Sequence, residues 1–295
     1  MQNAAPEICM LHSTPGRNEN RRVTHLPGAM LSEELRCHMQ LIKNRLARFP
    51  RVKSQLQSLY DLFQGLPPLS NSAISKELIR EFVGRSDPVI LDIGCNDGKH
   101  TAWFLEVFES PRIFSFEPDP RAAARFRAKI GQASNVELFE IALSDRNGDV
   151  TFYQSAGHRN EKQADKMPEG WDLSGSIRKP KEHLVVHPWI KFDRTITVKT
   201  AMLDAWCDEH AIEVIDFIWM DVQGAELDVL RGGTEALSKT RFIYTEYNNR
   251  ELYEGQSGLR DLLKHLKGFE VVARYPRDVL LRNKGFDPVR NKARP

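Results

Sequence analysis

Four acidic residues lie at the ends of four predicted buried strands, where their carboxylates could bind or deprotonate a ligand. Asp92 stands near the end of the apolar run 89–93, and Glu117, Asp221 and Glu246 each follow a further apolar run directly. The carboxyl ends of parallel strands meet at one crevice of a doubly wound sheet, which is where such sheets bind ligands. Chance readily places one acid at such a position, but four of them favour a common site.

The turn after the first strand carries the pattern D-x-G-x-x-x-G, formed by Asp92, Gly94 and Gly98. The glycines let the backbone turn sharply and approach a ligand closely. This spacing differs from the G-x-G-x-x-G of dinucleotide sites, where acids would repel a pyrophosphate. Asp92 and Asp97 instead suit a ligand with positive groups, and S-adenosylmethionine carries an ammonium and a sulfonium. Alone, the turn also fits an ordinary strand–turn–helix unit without a ligand.

Glu117 lies where α/β nucleotide-binding proteins place an acid on the ribose hydroxyls.

Apolar runs alternate with amphipathic segments over most of the chain, which predicts an α/β fold with a doubly wound sheet. Beside residues 89–93, the predicted strands span 112–116, 136–143, 196–198, 215–220, 241–245, 269–273 and 279–281. Residues 150–153 are predicted to return as a hairpin after the third strand. Pro118-Asp119-Pro120 predicts a helix start with Asp119 as its cap, which leaves Glu117 available for a ligand.

Residues 155–195 form the least regular part of the predicted domain. Long irregular segments inside a compact domain are usually functional or disordered, and the aromatic content argues against disorder. We therefore predict a substrate-facing loop or lid. Its histidines and tryptophans are His158, His183, His187, Trp171 and Trp189.

The composition is that of a globular protein, with 28% charged residues and a net charge of +2 in 295 residues. The near-zero charge implies no attraction to nucleic acid, and no apolar run is long enough to span a bilayer. The N-terminus lacks the apolar region of a signal peptide. Four scattered cysteines without a C-x-x-C pair argue against a zinc site or a disulfide framework and favour the cytoplasm.

Composition and periodicity divide the chain into four parts. Residues 1–30 are predicted to be disordered, and residues 31–70 to form a helical extension with two apolar stripes. That extension could pack on the main domain, form a homodimer interface or bind an acidic partner, and the sequence does not choose among these. Residues 71–285 form the predicted main domain, and residues 286–295 a basic tail.

The motifs together resemble the FkbM family of S-adenosylmethionine-dependent methyltransferases. The resemblance covers about residues 75–285. It rests on residues 91–98 (L-D-I-G-C-N-D-G), 116–120 (F-E-P-D-P), 142–145 (A-L-S-D), 200–204 (T-A-M-L-D) and 220–226 (M-D-V-Q-G-A-E). It implies the Rossmann-like class I methyltransferase fold, a seven-stranded, mostly parallel sheet whose last strand is antiparallel. It also implies O-methylation of a hydroxyl in a sugar, a glycan or a secondary metabolite.

The resemblance implies a role for each motif residue. The side of the cofactor that carries methionine and ribose would contact Asp92, Gly94, Asn96 and Gly98. Glu117 would bind the ribose, Ser144 and Asp145 would lie by the adenine, and Asp221 would lie beside the transferring methyl group. The sequence departs from the family pattern at two positions. Trp219 and Gln223 stand where the family usually has a lysine and a glutamate, so an acid–base role of that glutamate would have to fall elsewhere.

A hydroxyl becomes a good nucleophile only as its proton leaves, so a general base is expected. Asp221 is the first candidate, Glu246 and Glu226 follow, and a histidine of residues 155–195 comes last. Glu226 could equally be a first-turn helix acid that the helix dipole favours. A magnesium ion held by the strand-end acids, with Asn248 and Asn249 close by, is a less favoured variant. Two further alternatives are an NAD-dependent oxidoreductase and a non-catalytic cofactor-binding or assembly protein.

Overall fold

The computed structural model describes residues 65–166 and 170–286. The predictions for residues 1–30, for most of the helical extension and for most of the basic tail therefore lie outside the described residues. None of the described helices is both long enough and apolar enough to cross a bilayer.

Strands and helices alternate along most of the described chain, as the apolar pattern predicts. The strands are β1 Val89–Ile93, β2 Arg112–Phe116, β3 Val136–Phe139, β4 Ala142–Ser144, β5 Gly148–Ala156, β6 Lys191–Met202, β7 Ile215–Met220, β8 Thr240–Glu246, β9 Phe269–Arg274 and β10 Asp278–Asn283. The helices are α1 Lys76–Val83, α2 Lys99–Val107, α3 Pro120–Ile130, α4 Glu161–Lys166, α5 His183–Val186, α6 Leu203–Glu209, α7 Glu226–Arg231, α8 Thr234–Ser238 and α9 Leu259–His265.

Seven strands form the main sheet in the order β3-β2-β1-β7-β8-β10-β9. β1 pairs in parallel with β2 and β7, and β8 pairs in parallel with β7. The last strand, β10, runs antiparallel to both of its neighbours. This order confirms the predicted fold class. It also brings the carboxyl ends of β1, β2, β7 and β8 to one edge, where the strand order reverses between β1 and β7.

Helices cover both faces of the main sheet, which explains why its central strands are apolar runs rather than alternating ones. One core contains Phe114, Trp206 and Ile218, and the other contains Phe104 and Trp219. The Trp219 ring centroid lies 4.1 Å from that of His100 and 4.3 Å from that of Tyr244. Trp219 therefore packs within a core layer.

A second, three-stranded sheet has the order β4-β6-β5 and corrects three predictions. The predicted third strand ends at Phe139, and residues 142–144 belong to the second sheet instead. β5 pairs antiparallel with β6 and not with the strand before it, and the short strand predicted at 196–198 is part of the 12-residue β6. Alternating residues indicated that these segments are strands, but a pairing partner far along the chain leaves no local signal.

The start of α3 agrees with the prediction. The Asp119 side chain accepts a hydrogen bond from the Arg121 backbone N–H (3.0 Å), and Pro120 occupies the first helical position, where its missing N–H has no cost. Because Asp119 is the cap, Glu117 accepts only the N–H of Asp119 itself at this helix terminus (2.8 Å).

Candidate functional site

A cavity of about 490 Å³ lies at the carboxyl edge of the main sheet. Its volume is within the range typical of small-molecule sites. Gly94, Asn96, Glu117, Asp221 and Glu246 all line it. The structure thus brings together, around one space, predicted site residues from the ends of β1, β2, β7 and β8.

The turn after β1 is shaped by close backbone contacts. Gly94 has a φ of 81°, and a Cβ atom there would lie 2.0 Å from the Asp221 carbonyl oxygen. The N–H groups of Gly94 and Cys95 both donate to the Phe116 carbonyl oxygen, at 2.9 and 3.1 Å. The next residue, Asn96, has a φ of 46° and turns its N–H towards Glu117. Glycine is required at position 94 both for the backbone angle and for the approach of Asp221.

Glu117 is held in place by two backbone donors. Its Oε2 accepts from the Asn96 N–H (2.9 Å), and its Oε1 accepts from the Asp119 N–H (2.8 Å). Burial raises the pKa of Glu117 to about 8, although both backbone hydrogen bonds oppose that rise. Each carboxylate oxygen can accept a second hydrogen bond. The orientation of Glu117 therefore suits it to bind the hydroxyl groups of a ligand in the cavity.

Asp92 and Gly98 do not line the cavity. Asp92 is fully buried, and its Oδ2 accepts from the Thr101 hydroxyl (2.6 Å) beneath the turn. Burial raises the pKa of Asp92 to about 7. At Gly98, which has a φ of 78°, a Cβ atom would lie 2.7 Å from the Phe126 ring. Both residues support the turn from below.

Ser144 and Asp145 also lie outside the cavity lining, where their neighbours Ala142 and Leu143 are found instead. Ser144 is buried, and Asp145 is exposed. A Cβ atom at Gly232 would lie 2.1 Å from the Ser144 carbonyl oxygen, so the chain after β4 packs tightly on the end of α7. The structure places the apolar part of this motif, and not its polar part, at the cavity.

Asp221, Glu226 and Glu246 form a cluster in which one carboxylate oxygen of each lies within 4.8 Å of the others. Gln223 bridges two of them. Its Nε2 donates to Asp221 Oδ1 (2.6 Å) and to Glu246 Oε2 (3.0 Å). One neutral amide therefore holds two acids in a fixed relation.

Gln223 is itself fixed by three features. Its φ is 50°, an uncommon backbone angle for a residue other than glycine. The Tyr253 hydroxyl shares its one proton between the Ser174 carbonyl oxygen (2.8 Å) and Gln223 Oε1 (3.2 Å). The Ser176 hydroxyl donates to the Gln223 carbonyl oxygen (2.8 Å). Sequence analysis did not identify Tyr253 or Ser176, because both lie far from Gln223 along the chain and neither belongs to a motif.

Two acids of the cluster hold their protons more tightly than isolated carboxyl groups do. Burial raises the pKa of Glu226 to about 7, and burial together with nearby Asp221 raises that of Glu246 well above its usual value. Arg277 Nη1 lies 3.9 Å from Glu246 Oε1 and offers partial compensation. The Oε1 of Glu226 accepts from the Gly224 N–H (3.1 Å), which fixes its orientation. Such a cluster favours the positive groups of a ligand and can accept a proton from it.

A magnesium ion fits this arrangement poorly. Two of the three clustered carboxylates already accept hydrogen bonds from the Gln223 amide, which directs N–H groups and not oxygen towards them. The predicted asparagine ligands point elsewhere, because Asn248 Oδ1 accepts from the Arg250 N–H (3.0 Å) and Asn249 Oδ1 from the Leu259 N–H (3.3 Å).

The opposite wall of the cavity comes from the segment predicted as a loop or lid. Within the part that the structure describes, residues 171–178 are fastened on several sides. The Ser174 N–H donates to the Ser155 hydroxyl of β5 (3.1 Å), and Arg178 donates to both carboxylate oxygens of Asp228 on α7 (2.7 and 2.9 Å). Together with the bonds from Tyr253 and Ser176, these contacts make the segment a fixed wall.

The aromatic and histidine residues of this wall divide into two groups. Trp171, Trp189, His183 and His187 line the cavity, whereas His158 is exposed and lies outside its lining. The Trp171 and Trp189 rings meet edge to face, with centroids 5.3 Å apart. Burial and nearby His187 lower the pKa of His183 to about 4, so its imidazole is neutral near pH 7 and is a weak base.

Comparison with known proteins identifies relatives over most of the described chain. Residues 92–285 match the methyltransferase FkbM domain. The 2-O-methyltransferase NoeI of Sinorhizobium fredii (strain NGR234) is 50% identical over 232 residues, which cover 77% of this chain and 92% of that protein. The hexuronic acid methyltransferase AglP of Haloferax volcanii is 24% identical over 161 residues, covering 54% of this chain and 56% of that protein.

A solved structure of an FkbM methyltransferase from Methylobacillus flagellatus KT is also similar. It is 14% identical with a TM-score of 0.42, and the match covers 70% of this chain and 50% of that one. The family assignment rests on the two sequence comparisons that show it, the domain match and the 50% identity.

Proposed function

The chain belongs to the methyltransferase FkbM family, and on that premise we propose that it transfers a methyl group from S-adenosylmethionine to a sugar hydroxyl, with Asp221 as the general base. The observation that carries the proposal is that Glu117 and Asp221, from the ends of β2 and β7, line the same cavity. The oxidoreductase alternative finds no support in a family of methyltransferases.

The residues of the cavity fit S-adenosylmethionine in three respects. Glu117 has a spare acceptor position for a ribose hydroxyl. Pro118, Ile141 and Leu143 supply apolar surface for a flat base beside it. The cluster around Asp221 provides carboxyl groups that can pair with an ammonium and a sulfonium. We infer that the ribose lies at Glu117 and that the positive groups lie towards Asp221.

When bound, S-adenosylmethionine supplies a methyl group that is already activated on a positively charged sulfur. The protein then has to align an acceptor hydroxyl and take its proton. Gln223 donates to Oδ1 of Asp221 and thereby orients its carboxylate. We assign proton acceptance to the Asp221 carboxylate, a role that is worth roughly 10²–10⁴ in rate for a general base.

Glu246 and Glu226 have supporting roles in this proposal. Their raised pKa values mean that each holds a proton more readily than an ordinary carboxyl group. Both are therefore less suited than an ionised carboxylate to take the acceptor's proton, and in this proposal they shape the surroundings of Asp221. His183 is a poor candidate for the base because its lowered pKa makes the imidazole a weak proton acceptor.

A sugar acceptor is supported by the wall of the cavity and by the relatives. Trp171 and Trp189 offer broad apolar faces, and His187 and Gln256 offer polar groups beside them. A sugar ring presents the matching combination of apolar C–H faces and hydroxyl edges. One relative carries the name 2-O-methyltransferase and another the name hexuronic acid methyltransferase, which favours a ring hydroxyl as the acceptor.

The test is methyl transfer from isotopically labelled S-adenosylmethionine to a panel of neutral sugars, hexuronic acids and oligosaccharides, with products identified by mass spectrometry. We expect the wild type to label a sugar hydroxyl and Asp221→Asn to lose far more turnover than affinity for S-adenosylhomocysteine. Binding of S-adenosylhomocysteine without transfer to any acceptor would favour a non-catalytic protein. Full activity of Asp221→Asn would remove Asp221 as the base.

A further inference from the structure

Asp172 has a carboxylate oxygen that nothing in the described structure satisfies. The residue is 5% exposed and lines the cavity. Its Oδ2 pairs with Arg125 of α3, whereas Oδ1 is buried and has no hydrogen-bond partner among the described residues. A buried, unpaired carboxylate oxygen is unfavourable, and such atoms are few in folded proteins. Where the atom belongs to a cavity-lining residue, a bound ligand is the natural partner.

The position of Asp172 is set by its surroundings. On one side, the Trp171 N–H donates to the Gly157 carbonyl oxygen (2.9 Å). On the other, the Ser174 N–H donates to the Ser155 hydroxyl (3.1 Å). The Arg125 pair holds the second carboxylate oxygen. The side chain is thus oriented in advance, as is common for groups that recognise a ligand.

Asp172 and Glu117 line the same cavity. The negative charge of Asp172 is the smallest of the causes that raise the pKa of Glu117. The oxygens of both side chains are therefore available to hydrogen-bond donors of a ligand in this cavity. Glu117 can accept one further bond at each oxygen, and Asp172 Oδ1 can accept at least one. A vicinal diol supplies two hydroxyl donors at short spacing, which suits this pair.

We propose that Asp172 binds the cofactor ribose together with Glu117, with Asp172 Oδ1 accepting a hydrogen bond from one ribose hydroxyl. This inference rests on the proposed function for the placement of the ribose at Glu117. It assigns a cofactor contact to the wall segment, which the strand-end motifs do not include.

The experiment compares Asp172→Asn with Arg125→Met by calorimetric titration with S-adenosylhomocysteine. Asp172→Asn keeps the size of the side chain but replaces the charged acceptor. We expect its affinity to fall about tenfold to a hundredfold, as loss of a hydrogen bond to a charged group implies. Arg125→Met removes the partner of Oδ2 but keeps the Oδ1 acceptor, so its affinity should fall by less than that of Asp172→Asn. Thermal melts of both variants check the fold.

Analogues of S-adenosylhomocysteine that lack the 2′- or the 3′-hydroxyl identify the contact. The analogue that lacks the contacted hydroxyl should bind the wild type about tenfold more weakly or worse than S-adenosylhomocysteine does. Asp172→Asn should bind this analogue and S-adenosylhomocysteine equally well, because the variant and the analogue remove the same hydrogen bond. Equal losses in both protein variants would show that Asp172 only anchors the wall, and that result overturns the inference. An effect confined to the KM of the acceptor would also overturn it, as would unchanged affinity.

The proposed function can fail separately. If Glu117→Ala weakens S-adenosylhomocysteine binding and Asp172→Asn does not, the function stands and the inference is wrong. If the wild type does not bind S-adenosylhomocysteine at all, the proposed function is wrong and the inference falls with it.

Discussion

Replacing Gln223 by glutamate tests whether the amide bridge positions the base. The two side chains have the same size, but Gln223→Glu removes the Nε2 donor that serves Asp221 Oδ1 at 2.6 Å and Glu246 Oε2 at 3.0 Å. Glutamate can replace only one of these hydrogen bonds, and only while it holds a proton. When ionised, it adds a further negative charge to a cluster that already contains Glu226.

The expected loss follows from the number of hydrogen bonds. A hydrogen bond to a charged group contributes roughly 1.5–3 kcal/mol, which corresponds to about a tenfold to hundredfold change in rate if the bond is needed to place Asp221. At acidic pH the protonated Glu side chain of the variant can make only one of the two hydrogen bonds that Gln223 makes. As pH rises through the pKa of that Glu side chain, the remaining hydrogen bond is also lost, and repulsion between like charges replaces it. The ratio of variant to wild-type activity should therefore fall as pH rises, by up to about tenfold per pH unit.

The assay measures kcat and KM of methyl transfer over a range from mildly acidic to mildly alkaline pH. Gln223→Met is the matched control, because it is similar in length but neither donates a hydrogen bond nor titrates. We expect Gln223→Met to lose activity by a factor that does not depend on pH, mainly in kcat. Affinity for S-adenosylhomocysteine, followed by calorimetry, separates an effect on the base from an effect on the cofactor.

Two results would refute this reasoning. Wild-type activity of Gln223→Glu across the pH range would show that the bridge is not needed. A loss in Gln223→Glu that is as independent of pH as that in Gln223→Met would show that Gln223 only fills space. A restored rate at acidic pH in the glutamate variant alone is the signature of a hydrogen-bond donor.

Four further results are expected. Burial raises the pKa of Glu226 from 4.5 to about 7, so between these pH values the folded protein holds a proton that the unfolded chain has released. The free energy of unfolding therefore falls as pH rises across that interval. Glu226→Gln should gain stability relative to the wild type over the same interval in thermal melts, and parallel stability curves of the two proteins would contradict this. Gly94→Ala should destabilise the protein by roughly 2–4 kcal/mol in denaturant unfolding, because its Cβ would lie 2.0 Å from the Asp221 carbonyl oxygen. Glu117→Ala should weaken S-adenosylhomocysteine binding about tenfold to a hundredfold in calorimetry. Treatment with a chelator should leave the rate of methyl transfer unchanged, since the Gln223 amide serves two of the clustered acids; a loss that magnesium restores would refute that expectation.

The main sheet could be predicted because its signals are local. Each central strand is a short apolar run, and the acids and glycines that follow it mark where it ends. Glu117, Asp221 and Glu246 line the cavity because they directly follow or end such runs. Asp92 differs because it stands one residue before the end of β1. Side chains alternate along a strand, so Asp92 faces Thr101 while its neighbours face the other way.

The second sheet and the wall could not be predicted in the same way. β5 pairs with β6 across a segment of more than 30 residues, and nothing local specifies that partner. The bridge at Gln223 depends on Tyr253 and Ser176, which reach it from different parts of the chain. The sequence marked Gln223 as unusual only through its departure from the family pattern. Its actual neighbours are a property of the tertiary fold.

The fastened wall also affects the thermodynamics of ligand binding. Ordering a free loop costs roughly 1–2 kcal/mol of conformational entropy per residue. Ser174 and Ser176 are held by hydrogen bonds to Ser155, Tyr253 and Gln223 of the protein itself, so the entropy cost for residues 174–176 belongs to folding and not to ligand binding. The heat-capacity change on binding should then reflect the surface that ligand and cavity bury together, without a contribution from a segment that folds around the ligand.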